Sequence, residues 1–257
     1  KELETTAMLV IKKNGNKISI VNNGMQCIVF IHYLVCFIES YQVGWGIRLD
    51  KCTGHLYEND LKAGRITRDQ AEELIESLFI KDQETGFLHP PIWSGIGGGA
   101  LMFQTLNIGG VDAQGRNVCN EVTIMVLDAM KNIRTMTPPL ALRWHDHIPK
   151  EVVDKTIECL ATGMPQPALF NDKVNIPRLL SLGIPLEDAR EYSINNCMVP
   201  HIPGKCTCRR NSWATYVPIP TLMNAAFGIP PLSGYWGPRL GHPIKDLSKV
   251  KSMDEIL

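Results

Sequence analysis

Several polar side chains and one thiol follow segments of the chain that have the composition of β-strands. These residues are His145 and Asp146, Asn171 and Asp172, and Cys197. In a parallel sheet the carboxyl ends of the strands meet at one edge, and ligands collect there. A thiol at that edge can take part in chemistry, whereas the alternative is a small buried thiol that packs as a hydrophobic side chain. Cys197 is therefore the candidate reactive residue.

The elements that must position these residues alternate between strand and helix. The segments with strand character are 140–145, 165–170 and 192–196, and the helical segments between them are 150–161, 176–182 and 186–191. This alternation is typical of parallel βαβ units. We therefore predict an α/β fold whose parallel sheet carries the polar residues at the carboxyl ends of its strands.

Two further helices are predicted upstream. Thr67 and Gln70 have the spacing of a capping box, and the apolar residues that follow, 71–79, recur with the period of an amphipathic helix. The segment 121–133 is apolar on more than one side, which predicts a helix buried between two layers. The polar segment 12–24 is rich in glycine and asparagine, which predicts a loop or a short hairpin.

The composition limits the classes of function. The 257 residues include 26 basic and 26 acidic side chains, and 44% of the residues are hydrophobic. This is the composition of a globular protein, and its balanced charge argues against a nucleic-acid or membrane partner. The longest apolar run, 27–38, is shorter than the roughly 20 residues that span a membrane. We therefore expect that run to be a buried element of a soluble protein.

The cysteine and histidine spacings do not indicate a metal site. The eight cysteines include no CxxC pair, and we interpret them as free thiols in a reducing cytoplasm. His145 and His147 are separated by one residue at a strand end, where alternating side chains point to opposite faces. The sequence therefore predicts that no metal is bound.

Four longer stretches resemble the glycyl radical enzymes of the pyruvate formate-lyase superfamily. They are GRITRDQAEELIESLFIK (64–81), LNIGGVDAQGRNVCNEVTIMVLDA (106–129), RWH (143–145) and GMPQPALFNDKVNIPRLLSLGIPLEDAREYSINNCMVP (163–200). The resemblance covers residues 41–225, and the stretches follow the order of the family. In that family the fold is a ten-stranded α/β barrel of two half-barrels, with a reactive cysteine on a loop inside it. The resemblance implies that Cys197 is this cysteine.

The second hallmark of the family is a C-terminal loop of the form RVxGY, RVxGF or RVxGW, whose glycine stores the radical. This sequence does not contain it, so we expect residues 1–257 to form a partial barrel domain, an internal fragment inactive alone. The resemblance implies no bound cofactor, a radical glycine outside this chain, and a radical-SAM activating enzyme that installs the radical. It also implies small accessory subunits, a homo- or hetero-oligomer, and the cytoplasm of an anaerobic organism.

The neighbours of Cys197 narrow the reaction. Dehydratases, lyases and decarboxylases of the family typically show Cys-x-Glu, but Val199 stands at that position here. Pyruvate formate-lyase shows two adjacent cysteines, but Asn196 precedes Cys197 here. The pattern Cys-Met-Val-Pro is similar to that of the X-succinate synthases, and looks more like their alkylsuccinate branch than their benzylsuccinate branch. These enzymes add a hydrocarbon radical to fumarate, an addition that needs no acid–base partner at the cysteine.

The resemblance thus implies that a thiyl radical at Cys197 adds an alkane or alkylbenzene to fumarate, giving a substituted succinate. Within the superfamily, the alternatives are a dehydratase or decarboxylase and a formate acetyltransferase-like lyase. The alternative outside enzymes is an α/β scaffold in which Cys197 is inert.

The substrate-binding residues are also inferred from the resemblance. Relatives with carboxylate substrates place an arginine about a dozen residues after the cysteine, and a guanidinium can hold a carboxylate in a fixed geometry. Arg209 and Arg210 fall in that window, with Arg210 preferred, and the alternative is a solvated basic pair. Trp144 matches a tryptophan near the family's pocket, and the alternative is core packing. We expect Cys197 to be buried and to face an apolar cavity shared with Trp144.

Overall fold

The computed structural model describes residues 20–34, 46–84, 105–195 and 199–205 of the chain. Their strands form two sheets. The first is parallel and four-stranded, in the order β1 (Ile47–Arg48), β2 (Leu106–Gly109), β3 (Leu140–Trp144) and β4 (Ala168–Asn171). The second is an antiparallel pair, β5 (Ser193–Asn195) and β6 (Val199–His201), which we call the hairpin.

Helices connect and cover the strands. Those in the described ranges are α1 (Ile20–Tyr33), α2 (Leu49–Lys62), α3 (Arg68–Glu84), α4 (Glu121–Ile133), α5 (Lys150–Ala161), α6 (Asp172–Ser181) and α7 (Leu186–Arg190). The order β2, α4, β3, α5, β4 makes two successive βαβ units. The predicted α/β fold with a parallel sheet is therefore confirmed.

The helix α4 lies between the sheet and α3, as its sequence predicts. Nine of its residues, from Val122 to Met130, are buried. Its first turn is fixed by a reciprocal cap, because the Asn120 side chain accepts from the Val122 N–H and the Thr123 hydroxyl accepts from the Asn120 N–H. A helix that is apolar on most sides is stable here because both layers cover it.

The central strands of the parallel sheet, β2 and β3, are buried on both faces, whereas Leu169 on β4 is exposed. On one face, which we call the helix face, the side chains of Leu106, Ile108, Leu140 and Leu142 pack with α3 and α4 in the larger core. On the other, which we call the hairpin face, Ala141 packs with Leu179, Ala189, Tyr192, Ile194 and Ile202. Parallel sheets are normally covered in this way. The hairpin thus lies on the face of the sheet that α4 and α5 leave free.

Several local predictions are confirmed. The capping box before α3 forms, since the Thr67 N–H donates to Gln70 Oε1 at 3.0 Å and the Gln70 N–H donates to Thr67 Oγ1 at 3.2 Å. The helix α5 has the predicted bounds, and Gly163 ends it in the left-handed conformation, at φ 84°.

Two helices begin earlier than the sequence predicts. The helix α6 begins at Asp172 and not at 176, because the Asn171 side chain caps it by accepting from the Lys173 N–H at 2.9 Å. The helix α1 begins at Ile20, where a loop or hairpin was expected. The carboxylate of Asp60 on α2 accepts from the Val21 N–H at 2.8 Å, which satisfies a donor at the start of α1. Residues 12–19 lie outside the described residues.

The third predicted strand exists but does not extend the parallel sheet. It is β5, and among the described residues it pairs antiparallel with β6. The reason is that side chains of the sheet, and not a strand, occupy its other edge: Asn107 bonds to both peptide groups of Ile194.

The cysteines that the structure describes are free thiols, as expected for them: Cys27, Cys52, Cys119 and Cys159. The other four lie outside the described ranges. No helix in the described part of the chain is long and apolar enough to cross a membrane.

The buried carboxyl group of Asp82 on α3 gives a prediction on stability. Burial raises the pKa of Asp82 to about 7, from an ordinary value of 3.8. A carboxyl whose pKa is higher in the folded chain favours folding at low pH, and this contribution is lost as the pH rises from about 4 through about 7. We therefore expect Asp82→Asn, which cannot ionise, to raise the thermal unfolding midpoint, and by more at pH 8 than at pH 5.

Calorimetry of the complete protein at the two pH values measures this difference. The control is Glu73→Gln, which neutralises an exposed carboxylate on the same helix. An Asp82→Asn effect that is the same at pH 5 and pH 8 contradicts the prediction.

Candidate active site

The structure brings together the residues that follow β3 and β4. Trp144 and Asn171, the last residues of these strands, are Cα partners in the sheet. Directly beyond them, Lys173 forms an ion pair with Asp146 at 2.9 Å. The predicted cluster of polar side chains at the carboxyl ends of the strands therefore exists for these two strands.

A buried arginine is the centre of this cluster. Arg143 has no solvent exposure, and its guanidinium binds both carboxylate oxygens of Asp172, with Nε–Oδ1 at 3.0 Å and Nη2–Oδ2 at 2.8 Å. The Tyr192 hydroxyl donates to Asp172 Oδ1 at 2.7 Å, and burial raises the pKa of Tyr192, so the hydroxyl keeps its proton. The guanidinium carbon lies 3.9 Å from the centre of the Tyr192 ring. The buried charge is thus paired in a bidentate geometry.

The same guanidinium also holds the chain that leads into β5. Its Nη1 donates to the carbonyl of Tyr192 at 2.9 Å, and its Nη2 donates to the carbonyl of Arg190 at 3.0 Å. Gly110, at φ 80°, makes room for it, because a Cβ there would lie 2.6 Å from Arg143 Nε and Cζ. Arg143 therefore fixes the residues just before β5 to the end of β3.

A second side chain of the sheet holds β5 itself. Asn107 on β2 is fully buried, and its Oδ1 accepts from the Ile194 N–H at 2.6 Å. Its Nδ2 donates to the Ile194 carbonyl at 2.8 Å. One side chain thus satisfies both peptide groups of the central residue of β5.

The loop that follows β2 is fixed from α2. The fully buried carboxylate of Asp50 accepts from the Gly109 N–H at 2.6 Å and from the Thr123 hydroxyl at 2.8 Å. Burial raises the pKa of Asp50, and these hydrogen bonds act in the opposite direction. Asp50 thereby connects α2, the end of β2 and the first turn of α4.

Arg48 completes this support. It donates to the carbonyls of Gly109 and Val111 at 3.2 and 2.9 Å, and to the carboxylate of Glu191 at 2.7 Å. Lys51 contacts the same carboxylate. Burial lowers the pKa of Arg48, and the neighbouring Arg143 lowers it further. Arg48 therefore ties the loop after β2 to the residue that follows α7.

The ring of His145 is engaged at both nitrogens. Nε2 lies 3.0 Å from Asn117 Oδ1, and Nδ1 lies 3.2 Å from the His147 N–H, from which it accepts. Burial lowers the pKa of His145, which favours the neutral ring. Among the described residues, no group of three or more histidines, cysteines or carboxylates could hold a metal ion.

The thiols that the structure describes near this region are not activated. Burial raises the pKa of Cys119 to about 12 and also raises the pKa of Cys52. A thiol with a raised pKa stays protonated at neutral pH and is a poor nucleophile. Neither thiol is therefore a candidate nucleophile at neutral pH.

The predicted site residues have different outcomes. Trp144 is partly buried and packs against the core on the helix face, and its role in a substrate pocket stays a prediction. Cys197, Arg209 and Arg210 lie outside the described residues. The residues on either side of Cys197 are described: Asn195 and Val199 are Cα partners in the hairpin, and the chain segment 196–198 joins them.

Sequence reasoning missed the side chains that hold the hairpin. Arg143 and Asn107 stand inside the apolar segments LALRW and LNIG, at positions that alternate with the helix-face residues. A charged or amide side chain within a buried strand needs a partner. A polar residue that alternates with buried apolar residues is the sequence pattern that could have predicted these two side chains.

The comparisons with known proteins agree with this fold. Residues 20–257 match the family described as pyruvate formate lyase-like. The chain belongs to this family of glycyl radical enzymes.

Two curated relatives illustrate the range of the family. The whole chain is 31% identical to (2S)-3-sulfopropanediol dehydratase of Klebsiella oxytoca, of which it covers 31%. It is 29% identical, over 62% of its length, to isethionate sulfite-lyase of Nitratidesulfovibrio vulgaris, of which it covers 19%. The chain therefore spans a third or less of these relatives.

The fold is similar to that of a solved glycyl radical enzyme. The glycerol-bound B12-independent glycerol dehydratase of Clostridium butyricum aligns with 99% of this chain, with a TM-score of 0.71 and 26% identity, and 34% of that protein is covered. The predicted superfamily is confirmed. The narrower resemblance to alkylsuccinate synthases is not supported by the relatives named here, which are dehydratases and a sulfite-lyase.

The buried ion pair gives a prediction on stability. Removing one partner of a buried pair leaves the other charge uncompensated, which costs about 3–5 kcal/mol. We therefore expect Arg143→Met to lower the free energy of unfolding by that amount, because Asp172 then keeps only Tyr192 as a partner among those described above. Chemical denaturation of the complete protein measures the loss.

The matched control is Arg116→Met, which removes an arginine from the exposed ion pair with Asp112. Exposed pairs contribute little, so this variant should unfold almost like the parent protein. If the two variants have equal free energies of unfolding, the buried ion pair stabilises the fold less than we predict.

Proposed function

We propose that this chain is the part of a glycyl radical lyase that carries the thiyl radical, at Cys197. The complete enzyme would remove a leaving group from a small hydroxylated substrate, in the manner of the dehydratases and sulfite-lyases that it resembles. The main support is the match of residues 20–257 to the family together with the activities of those relatives. We further propose that it acts in the cytoplasm of an anaerobic organism, because oxygen destroys carbon-centred radicals.

The proposed reaction consists of hydrogen-atom transfers around one elimination. A radical-SAM activating enzyme would place the radical on a glycine outside these residues. Cys197 gives its hydrogen atom to that glycyl radical, and its sulfur then takes a hydrogen atom from a hydroxyl-bearing substrate carbon. The neighbouring carbon releases hydroxide or sulfite, and the hydroxyl group on the radical carbon releases its proton. The product radical recovers a hydrogen atom from the Cys197 S–H, so the reaction has no net oxidation.

The residues around the hairpin support this chemistry by their rigidity. Hydrogen transfer between carbon and sulfur requires the reacting atoms within about 3–3.5 Å of each other. The chain before Cys197 is held at Arg190 and Tyr192 by Arg143 and at Ile194 by Asn107. Fixed geometry of the supporting residues is what such a site needs.

The residues that the sequence predicts to bind substrate keep that role in the proposed lyase. Arg210, with Arg209 as the alternative, would bind an anionic group of the substrate such as a sulfonate or carboxylate, because a guanidinium fits both. Trp144 would reach the apolar side of the pocket only from beyond the end of β3, because its side chain packs on the helix face and the hairpin lies on the other face. We propose an activating enzyme as a partner, and an oligomer with or without small accessory subunits.

Fumarate addition is the second candidate, and Val199 is the observation that favours it. Val199 lies partly buried in β6, at the position where the family's dehydratases carry glutamate. Two carboxylates near the start of the hairpin, Asp172 and Glu191, are already paired with arginines. In this candidate, the substrate radical forms a bond to a fumarate carbon, and the resulting succinyl radical takes a hydrogen atom from Cys197. Arg210 or Arg209 would then hold the fumarate carboxylates.

Substitution of the cysteine tests the radical role. In the complete protein, activated under anaerobic conditions, we expect Cys197→Ala to keep the glycyl radical signal in electron paramagnetic resonance but to lose turnover altogether. Cys119→Ala is the matched control, because it removes a partly buried thiol that has no part in the proposed reaction, and it should retain turnover. Full activity of Cys197→Ala would favour the scaffold alternative.

Deuterated substrates separate the two candidate reactions. We expect activated enzyme to convert 2-hydroxyethanesulfonate, 2,3-dihydroxypropanesulfonate or glycerol to the corresponding carbonyl product. Deuterium placed on the hydroxyl-bearing carbon should reappear in that product, because Cys197 returns the atom it took. The same enzyme supplied with fumarate and deuterated hexane or toluene should give no product. A deuterated alkyl- or benzylsuccinate would establish the second candidate instead.

A further inference from the structure

We propose that Asn107 is a positioning residue for the radical chemistry of Cys197. Its carboxamide takes the place of a neighbouring strand on the free edge of β5, and so fixes where the hairpin lies on the sheet. This inference rests on the proposed role of Cys197 as radical carrier, in either candidate reaction. Asn107 acts through the backbone of Ile194, three residues before Cys197, and does not contact the reacting atoms itself.

The geometry of the contact is that of a paired peptide. Asn107 accepts from the Ile194 N–H at 2.6 Å and donates to the Ile194 carbonyl at 2.8 Å, across 87 residues of sequence. Both residues have no solvent exposure. A residue in a β ladder exchanges the same two bonds with its partner, so Asn107 supplies in one side chain what a further strand would supply.

The free edge of β5 needs such a partner. Its strand partner, β6, occupies one edge, and the residue opposite Ile194 is Pro200, which has no N–H to donate. Buried peptide groups are almost always paired, because an unpaired one costs as much as a lost hydrogen bond. Without the Asn107 amide, both peptide groups of Ile194 would lose their partners in a dry environment.

A second close contact occurs at the same point. Gly46, just before β1, has φ 65°, and a Cβ there would lie 2.5 Å from the Ile194 carbonyl oxygen and 2.6 Å from Cε1 of His201. The backbone at Gly46 therefore packs directly against both strands of the hairpin. Together with the bonds of Arg143 to the carbonyls of Arg190 and Tyr192, this leaves β5 little freedom to shift.

Of the side chains that hydrogen-bond to this segment, Asn107 acts closer to Cys197 along the chain than Arg143 does. A shift of β5 by about 1 Å would move the cysteine away from both of its reaction partners, and misplacement of that size costs about 100-fold in rate. The two hydrogen bonds of Asn107 go to Ile194 and not to a residue that we propose to bind substrate. Loss of the Asn107 amide should therefore lower kcat and leave KM nearly unchanged.

The test compares Asn107→Ala with Asn120→Ala in the complete, anaerobically activated protein. Asn120 is the matched control, because its Nδ2 also donates to two backbone carbonyls, of Asp50 and Val118, but not to β5. We expect Asn107→Ala to reduce kcat by about 10- to 100-fold at an unchanged KM and an unchanged glycyl radical spin count. Asn120→Ala should keep the parental kcat.

Asn107→Asp keeps the test decisive if Asn107→Ala does not fold. A neutral carboxyl can accept from the Ile194 N–H and donate to its carbonyl, whereas a carboxylate cannot donate. The kcat of Asn107→Asp relative to the parent protein should therefore rise as the pH falls. A ratio near one at every pH, or equal kcat values for Asn107→Ala and Asn120→Ala, overturns the proposal.

These outcomes are distinct from a failure of the proposed function. If Cys197→Ala turns over substrate at the parental rate, the radical role of Cys197 is wrong, and the positioning role falls with it. If Cys197→Ala is inactive but both asparagine variants keep the parental kcat, only the role of Asn107 is wrong.

Discussion

The burial of the Arg143 guanidinium is the constraint on which the rest of this structure depends. A charge without solvent contact is tolerated only when its donors are paired in good geometry. Asp172 takes two of these bonds, and the carbonyls of Tyr192 and Arg190 take two more. Asp172 begins α6, and Tyr192 precedes β5. The end of β3, the start of α6 and the entry to the hairpin must therefore assemble together.

This constraint also explains why the hairpin lies on the sheet without joining it. The edge of β5 that faces the sheet is satisfied by a side chain, Asn107, and the approach to β5 is satisfied by Arg143. A strand that joined the ladder would end at the edge of the sheet, with its direction set by its neighbours. A strand held by side chains can instead lie on the hairpin face of the sheet. A small number of side chains then fixes its position. This arrangement suits the proposed role of Cys197, which would present its sulfur to the glycyl radical and to the substrate.

Local signals predict much of this fold, and long-range contacts decide the remainder. The capping box at Thr67, the apolar pattern of 121–133 and the bounds of α5 depend on neighbours within a few residues. The partner of β5 depends on contacts that span 87 and 49 residues, which periodicity does not contain. The roles of Cys197 and of the pair Arg209 and Arg210 were inferred from the resemblance to a family. The prediction of fumarate addition followed from two neighbours of Cys197, Asn196 and Val199. The relatives named above are a sulfite-lyase and dehydratases, which favour elimination instead.

Val199 limits how protons can move in the proposed elimination. Hydroxide is a strong base, so its loss as water requires a proton donor, the role that the resemblance assigns to a glutamate two residues after the cysteine. Val199 occupies that position in β6, and a charged side chain at a partly buried site would need a partner of its own. Sulfite is a much weaker base and departs without being protonated first. Within the proposed lyases, loss of water would therefore need a proton donor other than residue 199, and with either leaving group the proton of the substrate hydroxyl would need an acceptor other than residue 199.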